Sequence, residues 1–381
     1  MRLAKYGFIL LKLTGVWRPL TWQSWKGFFY NCFTLTVLMV IFMTSLSQVI
    51  YILKYIADIK TIISGGLVEL AIANALIKGI TVVFKRNRIL ELNEILQSEI
   101  CTPRDNDELF IQKQVENSVK SYCLFYIIIC EICIIIATIV SIFLDIPQRK
   151  LVYNAWLPYN WQSGIAYCIT FILQHFTLSF AALMDTGHDC LLADCVLQVR
   201  AQIGILKCRM KKYHLHWKKL AIRENDQINE NHFSEHVKHH LCIVDFAEQV
   251  NDTFLYSIFL QFVVSSSVIC ADIYALTSEP LFSTGFLTVV FFSTIFIVQT
   301  FGYCFIGDIV FHESGSIYSS IYQLDWTSLS PTLQKNLLLM MCRTSRPIQF
   351  SSGHLAVLSL DSFVAIMKLS YSAYNLLKSK S

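Results

Sequence analysis

The chain has 381 residues, of which 54% are hydrophobic and 15% charged, and its net charge is +4. A soluble domain carries about a quarter charged residues, so this composition, with a mean hydropathy of +0.50, excludes an ordinary globular domain. The small positive charge gives no sign of a nucleic-acid partner.

Residues 1–30 are basic and aromatic, with Trp17, Trp22 and Trp25 among five Lys and Arg. Such a segment suits the cytoplasmic membrane interface, where indoles and basic tips anchor. It lacks the apolar core and small-residue cleavage site of a signal peptide. Seven apolar runs follow: Cys32–Leu53, Thr61–Phe84, Ser121–Leu144, Ser163–Met184, Thr253–Thr277, Leu281–Ile306 and Leu355–Leu377. About twenty apolar residues span a bilayer as helix, and only helices satisfy the backbone over such runs in lipid. The expectation is an all-α integral membrane protein, one domain of seven transmembrane helices over residues 1–381.

Between the runs, Thr102-Pro103 followed by Asp105, Asp107 and Glu108 reads as a helix start with acids in its first turn. The third span therefore begins as a long cytoplasmic helix. The connection 145–162 is aromatic, with Tyr153, Trp156, Tyr159 and Trp161. It reads either as an outer interfacial belt or as a lid over a ligand entrance. Residues 185–252 and 307–348 read as cytoplasmic extensions. Within the first, Lys207-Cys-Arg-Met-Lys-Lys212 with Lys218 and Lys219 is expected to be a solvated positive face rather than a lipid or calmodulin site. His232, His236, His239 and His240 have helical spacing but no HExxH glutamate and no cysteine pair. A wet helix face is expected there and no metal.

Orientation follows from Lys and Arg. The N-terminus and the connections after the second, fourth and sixth runs hold 23, while the other connections and the C-terminal tail hold six. The positive-inside rule puts the N-terminus in the cytoplasm and the C-terminus outside. The thirteen cysteines then fall in spans or on the reducing side, so no disulfide framework is expected. The sequon Asn251-Asp-Thr253 is cytoplasmic and silent. Glu69, Lys78, Glu131 and Asp272 are charges inside spans, which usually face a protein interior or water. Glu69 and Lys78 lie nine apart, on opposite helix faces, and are not expected to pair.

The seventh run, 355–377, carries the strongest polar pattern. Asp361, Lys368 and Asn375 are spaced by seven and form one stripe with Ala365 and Ser372, flanked by Tyr371. The wheel fits either polar contact with neighbouring helices or the wall of an aqueous ion path. No GxGxxG, phosphate-binding loop or GxSxG elbow occurs, so no enzyme and no cofactor is expected.

Five motifs occur in order near the C-terminus: Phe301-Gly-Tyr-Cys-Phe-Ile-Gly307, Ser320-Ile-Tyr-Gln-Leu-Asp-Trp326, Ser345-Arg-Pro-Ile348, Ser359-Leu-Asp-Ser-Phe363 and Leu369-Ser-Tyr-Ser-Ala-Tyr-Asn-Leu-Leu377. Their order and spacing resemble the C-terminal signature of insect odorant receptors. The Thr-Tyr-five-residue-Gln-Phe motif of gustatory receptors is absent from the last span. The resemblance implies a ligand-tuned subunit of a ligand-gated, non-selective cation channel in the plasma membrane of an olfactory neuron dendrite. It would assemble with a co-receptor as a heterotetramer in the lipid bilayer. The pore and gate would involve Asp361, Lys368, Tyr371, Ser372, Tyr374 and Asn375. A subunit anchor would involve Tyr303, Tyr322, Trp326, Arg346 and Pro347. A small volatile apolar ligand would bind in the outer half of the bundle. The residues expected there are Leu67, Val68, Ala71, Ile135, Ile136, Ile139, Tyr167, Phe171, Phe286, Val289 and Val290. The alternatives are a G-protein-coupled chemoreceptor, a gustatory receptor and a secondary transporter. The first is disfavoured by orientation and by the absence of Asp-Arg-Tyr after the third span. The last is disfavoured by the absence of internal repeats.

Overall fold

The computed structural model describes residues 5–22, 24–55, 59–220, 226–278, 284–324, 326, 330–353 and 356–380. They form ten helices: α1 (Lys5–Leu13), α2 (Ser24–Lys54), α3 (Ile59–Phe84), α4 (Arg86–Gln97), α5 (Asn106–Leu144), α6 (Gly164–Leu220), α7 (Asp226–Ser278), α8 (Thr284–Tyr322), α9 (Pro331–Thr344) and α10 (Leu360–Lys380). Helices α2, α3, α5, α6, α7 and α8 are each long and apolar enough to cross a membrane. One short antiparallel pair, β1 (Ser351–Ser352) with β2 (Ala356–Val357), precedes α10. The sequence reading did not foresee it. Ser351 pairs with Val357, and the turn between the strands uses Gly353 at φ +61, a conformation glycine adopts without Cβ strain. The last helix therefore starts at Leu360 rather than Leu355, with Ser359 Oγ accepting from Ser362 N as its N-cap.

Helix α6 is the axis of the bundle. Its 57 residues make about 85 Å of helix, against a hydrocarbon core of about 30 Å. It packs against α1, α2, α3, α5, α7 and α8. Every residue from Thr186 to Val199 is buried, as befits a helix enclosed on all sides. Close approach by α1 depends on two glycines. A Cβ at Gly7 would lie 2.9 Å from Gly187 O, and one at Gly187 would lie 3.0 Å from the Leu11 side chain.

Polar groups buried against α6 tie the helices together. Lys78 of α3 is completely buried, with Nζ 2.8 Å from Asp185 Oδ1 and 2.7 Å from Asp189 Oδ1. Asp189 also accepts from Tyr126 Oη of α5 at 2.9 Å, from Tyr303 Oη of α8 at 2.6 Å and from Gln299 Nε2 of α8 at 2.5 Å. Lys78 and Glu69 do turn to different partners, because Glu69 accepts from Ser45 Oγ of α2 at 2.5 Å.

A second polar centre joins α5, α6 and α7 farther along. Asp105 caps α5, accepting from Asp107 N at 3.1 Å and Glu108 N at 3.0 Å. Its carboxyl is held below the usual carboxylate range by Lys212 Nζ at 2.7 Å and by those helix-start amides. Arg209 grips Glu108 with both arms of its guanidinium, at 3.1 and 2.9 Å. Two sequence expectations are corrected here. Lys207 pairs with Glu313 at 2.6 Å, Arg209 with Glu108, and Lys212 with Asp105 and Asp107. Lys211 is exposed and the Lys212 pairs lie at the surface, so the solvated face holds there. It fails at Arg209, which is buried with its glutamate. Lys218 and Lys219 have side chains outside the described residues. His236, His239 and His240 are buried rather than wet. His239 lies between Gln202 Oε1 at 2.8 Å and Arg209 Nη1 at 3.3 Å. A sequence cannot show that a polar helix face meets another polar face, and that meeting is what dries these groups.

Replacing Lys78 with Met leaves two buried carboxylates without their cation. Removing one partner of a buried pair costs about 3–5 kcal/mol. The Lys78→Met protein is expected to unfold at clearly lower temperature in detergent and to reach the cell surface poorly. Unchanged melting would show that the cluster does not hold the bundle.

Candidate ligand cavity and the polar face of the last helix

A cavity of about 170 Å³ lies between α3, α5, α6 and α8. Its wall is mostly apolar, including Ile72, Ile134, Ala137, Leu178, Ala182, Phe292 and Ile295. The connection 145–163 adds Val152 to the wall. That connection is tied down on both sides. Trp156 N donates to Ser47 O of α2 at 3.0 Å, and Ser47 Oγ donates to Trp156 O. Val152 N donates to Gln174 Oε1 of α6 at 3.0 Å, and Gln174 Nε2 donates to Tyr153 O at 2.9 Å.

The cavity has two unlike ends. Helices α6 and α8 run one way past it and α5 the other. Tyr126 of α5, Asp185 and Thr186 of α6, and Gln299 of α8 therefore share one end, with Asn74 of α3. These are the groups of the Lys78 cluster and its neighbours. Val140, Val152, His175 and Phe291 line the opposite end. His175 and Asp185 are ten residues apart on one helix, about 15 Å along the axis.

Of the residues expected from sequence at a ligand pocket, Ala71 and Ile136 line this cavity. Leu67 is buried, and Val68 is half-buried against the core, one turn from Ala71. Ile135 and Ile139 are exposed on the outer side of α5. Tyr167 and Phe171 are buried beyond the cavity: the Tyr167 hydroxyl donates to Lys150 O at 2.9 Å, and the Phe171 ring meets His175 at 4.6 Å. Phe286, Val289 and Val290 are half-buried on α8, short of the lining that starts at Phe291. Tyr126, His175, Asp185 and Gln299 were not anticipated. The available signal was polarity inside or just beyond an apolar run, which points to an interior or a cavity.

Helix α10 packs on α7 and α8 with one face. Ile366, Ser370 and Tyr374 are buried on that face, and Phe363 meets Phe301 of α8 with centroids 5.5 Å apart. Asp361, Ala365, Lys368, Ser372 and Asn375 are exposed on the other, together with Tyr371. Tyr374 thus belongs to the packing face, not to the polar stripe. Of the expected anchor residues, Tyr303 is buried in the Lys78 cluster. Tyr322, Trp326 and Arg346 are exposed, and Pro347 is half-buried near Gly315. The described residues bring together no group of three or more His, Cys, Asp or Glu fit to hold a metal ion.

Comparison with known proteins agrees with this architecture. The chain resembles odorant receptor Or1 of Anopheles gambiae, at 22% identity over 97% of this chain and 94% of that protein. It resembles odorant receptor 22a of Drosophila melanogaster at 23% identity, over 61% of this chain and 56% of that protein. The match thus spans little more than half the length of the latter. The fold is that of the insect olfactory receptor OR5 from Machilis hrabei, solved in complex with eugenol, with a TM-score of 0.87, 13% identity, and 99% and 98% of the two chains covered. The model of the 7tm odorant receptor family matches residues 60–371, most of this chain, and the protein belongs to that family.

Proposed function

We propose that the chain is the ligand-tuned subunit of an odorant-gated, non-selective cation channel. The observation that carries this reading is the uncovered polar face of α10. Asp361 and Lys368 are exposed on the single protomer. On an insertion scale each would cost roughly 2.5–3.5 kcal/mol at mid-membrane if it faced lipid. Copies of α10 gathered about a common axis place the same stripe on water. In this reading α10 is the seventh span, the N-terminus is cytoplasmic, and a co-receptor supplies the other subunits of a heterotetramer in the plasma membrane of the olfactory dendrite. In the same reading Tyr322, Trp326, Arg346 and Pro347 belong to the cytoplasmic end, where subunits meet. Asp361, Lys368, Tyr371, Ser372 and Asn375 line the path, with the gate toward Asn375.

The ligand occupies the cavity between α3, α5, α6 and α8. A mostly apolar wall binds by burial and shape. The similar Machilis receptor is solved with eugenol, a small aromatic molecule, and a compact ligand of that kind suits this cavity. The connection 145–163 closes the cavity's outer end as a lid, which is favoured over a mere interfacial belt by Val152 in the wall.

Three measurements test the reading. Expressed with a co-receptor, the chain is expected to pass odorant-evoked cation current, and alone to pass little. A G-protein-dependent response without channel current would defeat it. Cysteines placed at 372 and 375 are expected to react with a water-soluble thiol reagent, faster with odorant present. Reaction at the packing-face position 370 with 372 and 375 inert would reverse the orientation of α10. Ala182→Phe fills the cavity and is expected to raise the half-maximal odorant concentration about tenfold or more, since tenfold corresponds to only about 1.4 kcal/mol of lost contact. Unchanged potency with normal surface level would remove the ligand from this cavity.

A further inference from the structure

We infer that the ligand of this receptor carries a hydrogen-bond donor, a hydroxyl or an ammonium group, at one end of an apolar body, and that Asp185 receives it. The inference rests on the ligand-site reading above and adds the chemistry of the ligand. Asp185 lines the cavity, and its side chain is 19% exposed, whereas Lys78 and Asp189 beside it are 0% and 1% exposed. Asn74, Tyr126, Thr186 and Gln299 at the same end are each 2% exposed. Asp185 is thus the one member of the polar end that keeps substantial open surface.

Its hydrogen bonds leave it short of donors. Oδ1 receives Lys78 Nζ at 2.8 Å and Asn74 Nδ2 at 3.3 Å. Among the described residues Oδ2 accepts from Gln299 Nε2 alone, at 2.7 Å. A carboxylate offers about four acceptor sites and no donor. The neighbours cannot turn to fill the last site. Asn74 Nδ2 is fixed between Asp185 Oδ1 and Gln261 Oε1, 3.0 Å away, and Gln299 Nε2 is shared with Asp189 Oδ2 at 2.5 Å.

Charge points the same way. The side chains at this end bring two carboxylates, Asp185 and Asp189, against one ammonium, Lys78. A donor approaching along the cavity meets Asp185 end-on, and its apolar body fills the remaining length toward Val140 and Val152. An ether or ester oxygen at the same place would set acceptor against acceptor, which leaves a buried polar atom unpaired and costs affinity.

The test uses the full receptor with its co-receptor and four probes of equal heavy-atom number: heptan-1-ol, 1-aminoheptane, hexyl methyl ether and octane. A wider odorant panel is arranged in the same donor and donor-less pairs. The donor member of each pair is expected to be about tenfold more potent or better. Comparing the alcohol with the amine shows whether neutral or charged donors are preferred. Asp185→Asn is expected to flatten the preference. Thr138→Val and His175→Phe, which change other polar groups in the wall, are expected to keep it. Activators spread evenly between donor and donor-less members would overturn the inference while leaving the channel reading intact. So would a preference that survives Asp185→Asn or that is lost in Thr138→Val or His175→Phe. Should Asp185→Asn fail to reach the surface, the paired panel on the unaltered chain decides alone. Silence of the whole panel with co-receptor present would defeat the channel reading, and this inference with it.

Discussion

The ion cluster of Lys78, Asp185 and Asp189 is the constraint around which the bundle is arranged. A lysine in the middle of a membrane protein is tolerated only where charge and hydrogen bonds replace water. Two aspartates one turn apart on α6 supply the charge. Their remaining lone pairs then demand donors, and α5 and α8 provide Tyr126, Tyr303 and Gln299. One cation therefore fixes the rotation of four helices about their axes. Apolar packing alone would fix them less well, since lipid tails are as apolar as leucine and give no hydrophobic drive between helices.

The same logic recurs beyond the apolar runs. Helices α6 and α7 continue well past the length a bilayer needs, and there the Arg209–Glu108 fork joins α6 to α5 while His239 and Gln202 join α7 to α6. Arg209 also donates to Ile100 O at 2.6 Å and Thr102 O at 2.8 Å, so it holds the backbone that leads into the Asp105 cap. The start of α5 is set by that cap and by this arginine together. Any rotation of α6 is therefore felt both at the cavity, through Asp185, and at the far end of the bundle, through Arg209.

How much of this was readable without coordinates differed by level. Helix type and approximate extent followed from run length, because a bilayer permits little else. The Asp105 start of α5 was readable because capping is local chemistry. Helix phase was not. The stretch Tyr126–Leu144 of α5 is apolar almost all round, so nothing in it says that Ile134 and Ala137 face the cavity while Ile135 and Ile139 face out. The boundary at Met184 hid the main cluster as well. Hydropathy ends the fourth run where Asp185 begins, and the partner that explains Asp185 lies 107 residues earlier in the sequence, at Lys78. The spacing by seven on α10 was a better guide, since three polar residues on one stripe survive any small error in register, and Asp361, Lys368 and Asn375 are all exposed.

The two faces of α10 bring these threads together. Its packing face is made of Phe363, Ile366, Ser370 and Tyr374, and Ser370 Oγ reaches Ser266 O of α7 at 3.4 Å. Helices α7 and α8 together are therefore the seat of α10. Helix α8 also carries Gln299, which holds Asp185 in the cavity end, and Phe301, which meets Phe363 two residues farther along. Helix α8 thus contributes both to the polar end of the cavity and to the seat of α10, at positions two residues apart. On the proposed reading, cavity and polar stripe are joined by this one helix, with no long relay of side chains. Such a coupling requires α8 to move as a rigid rod between the two contacts, and the helix is unbroken from Thr284 to Tyr322 across both of them.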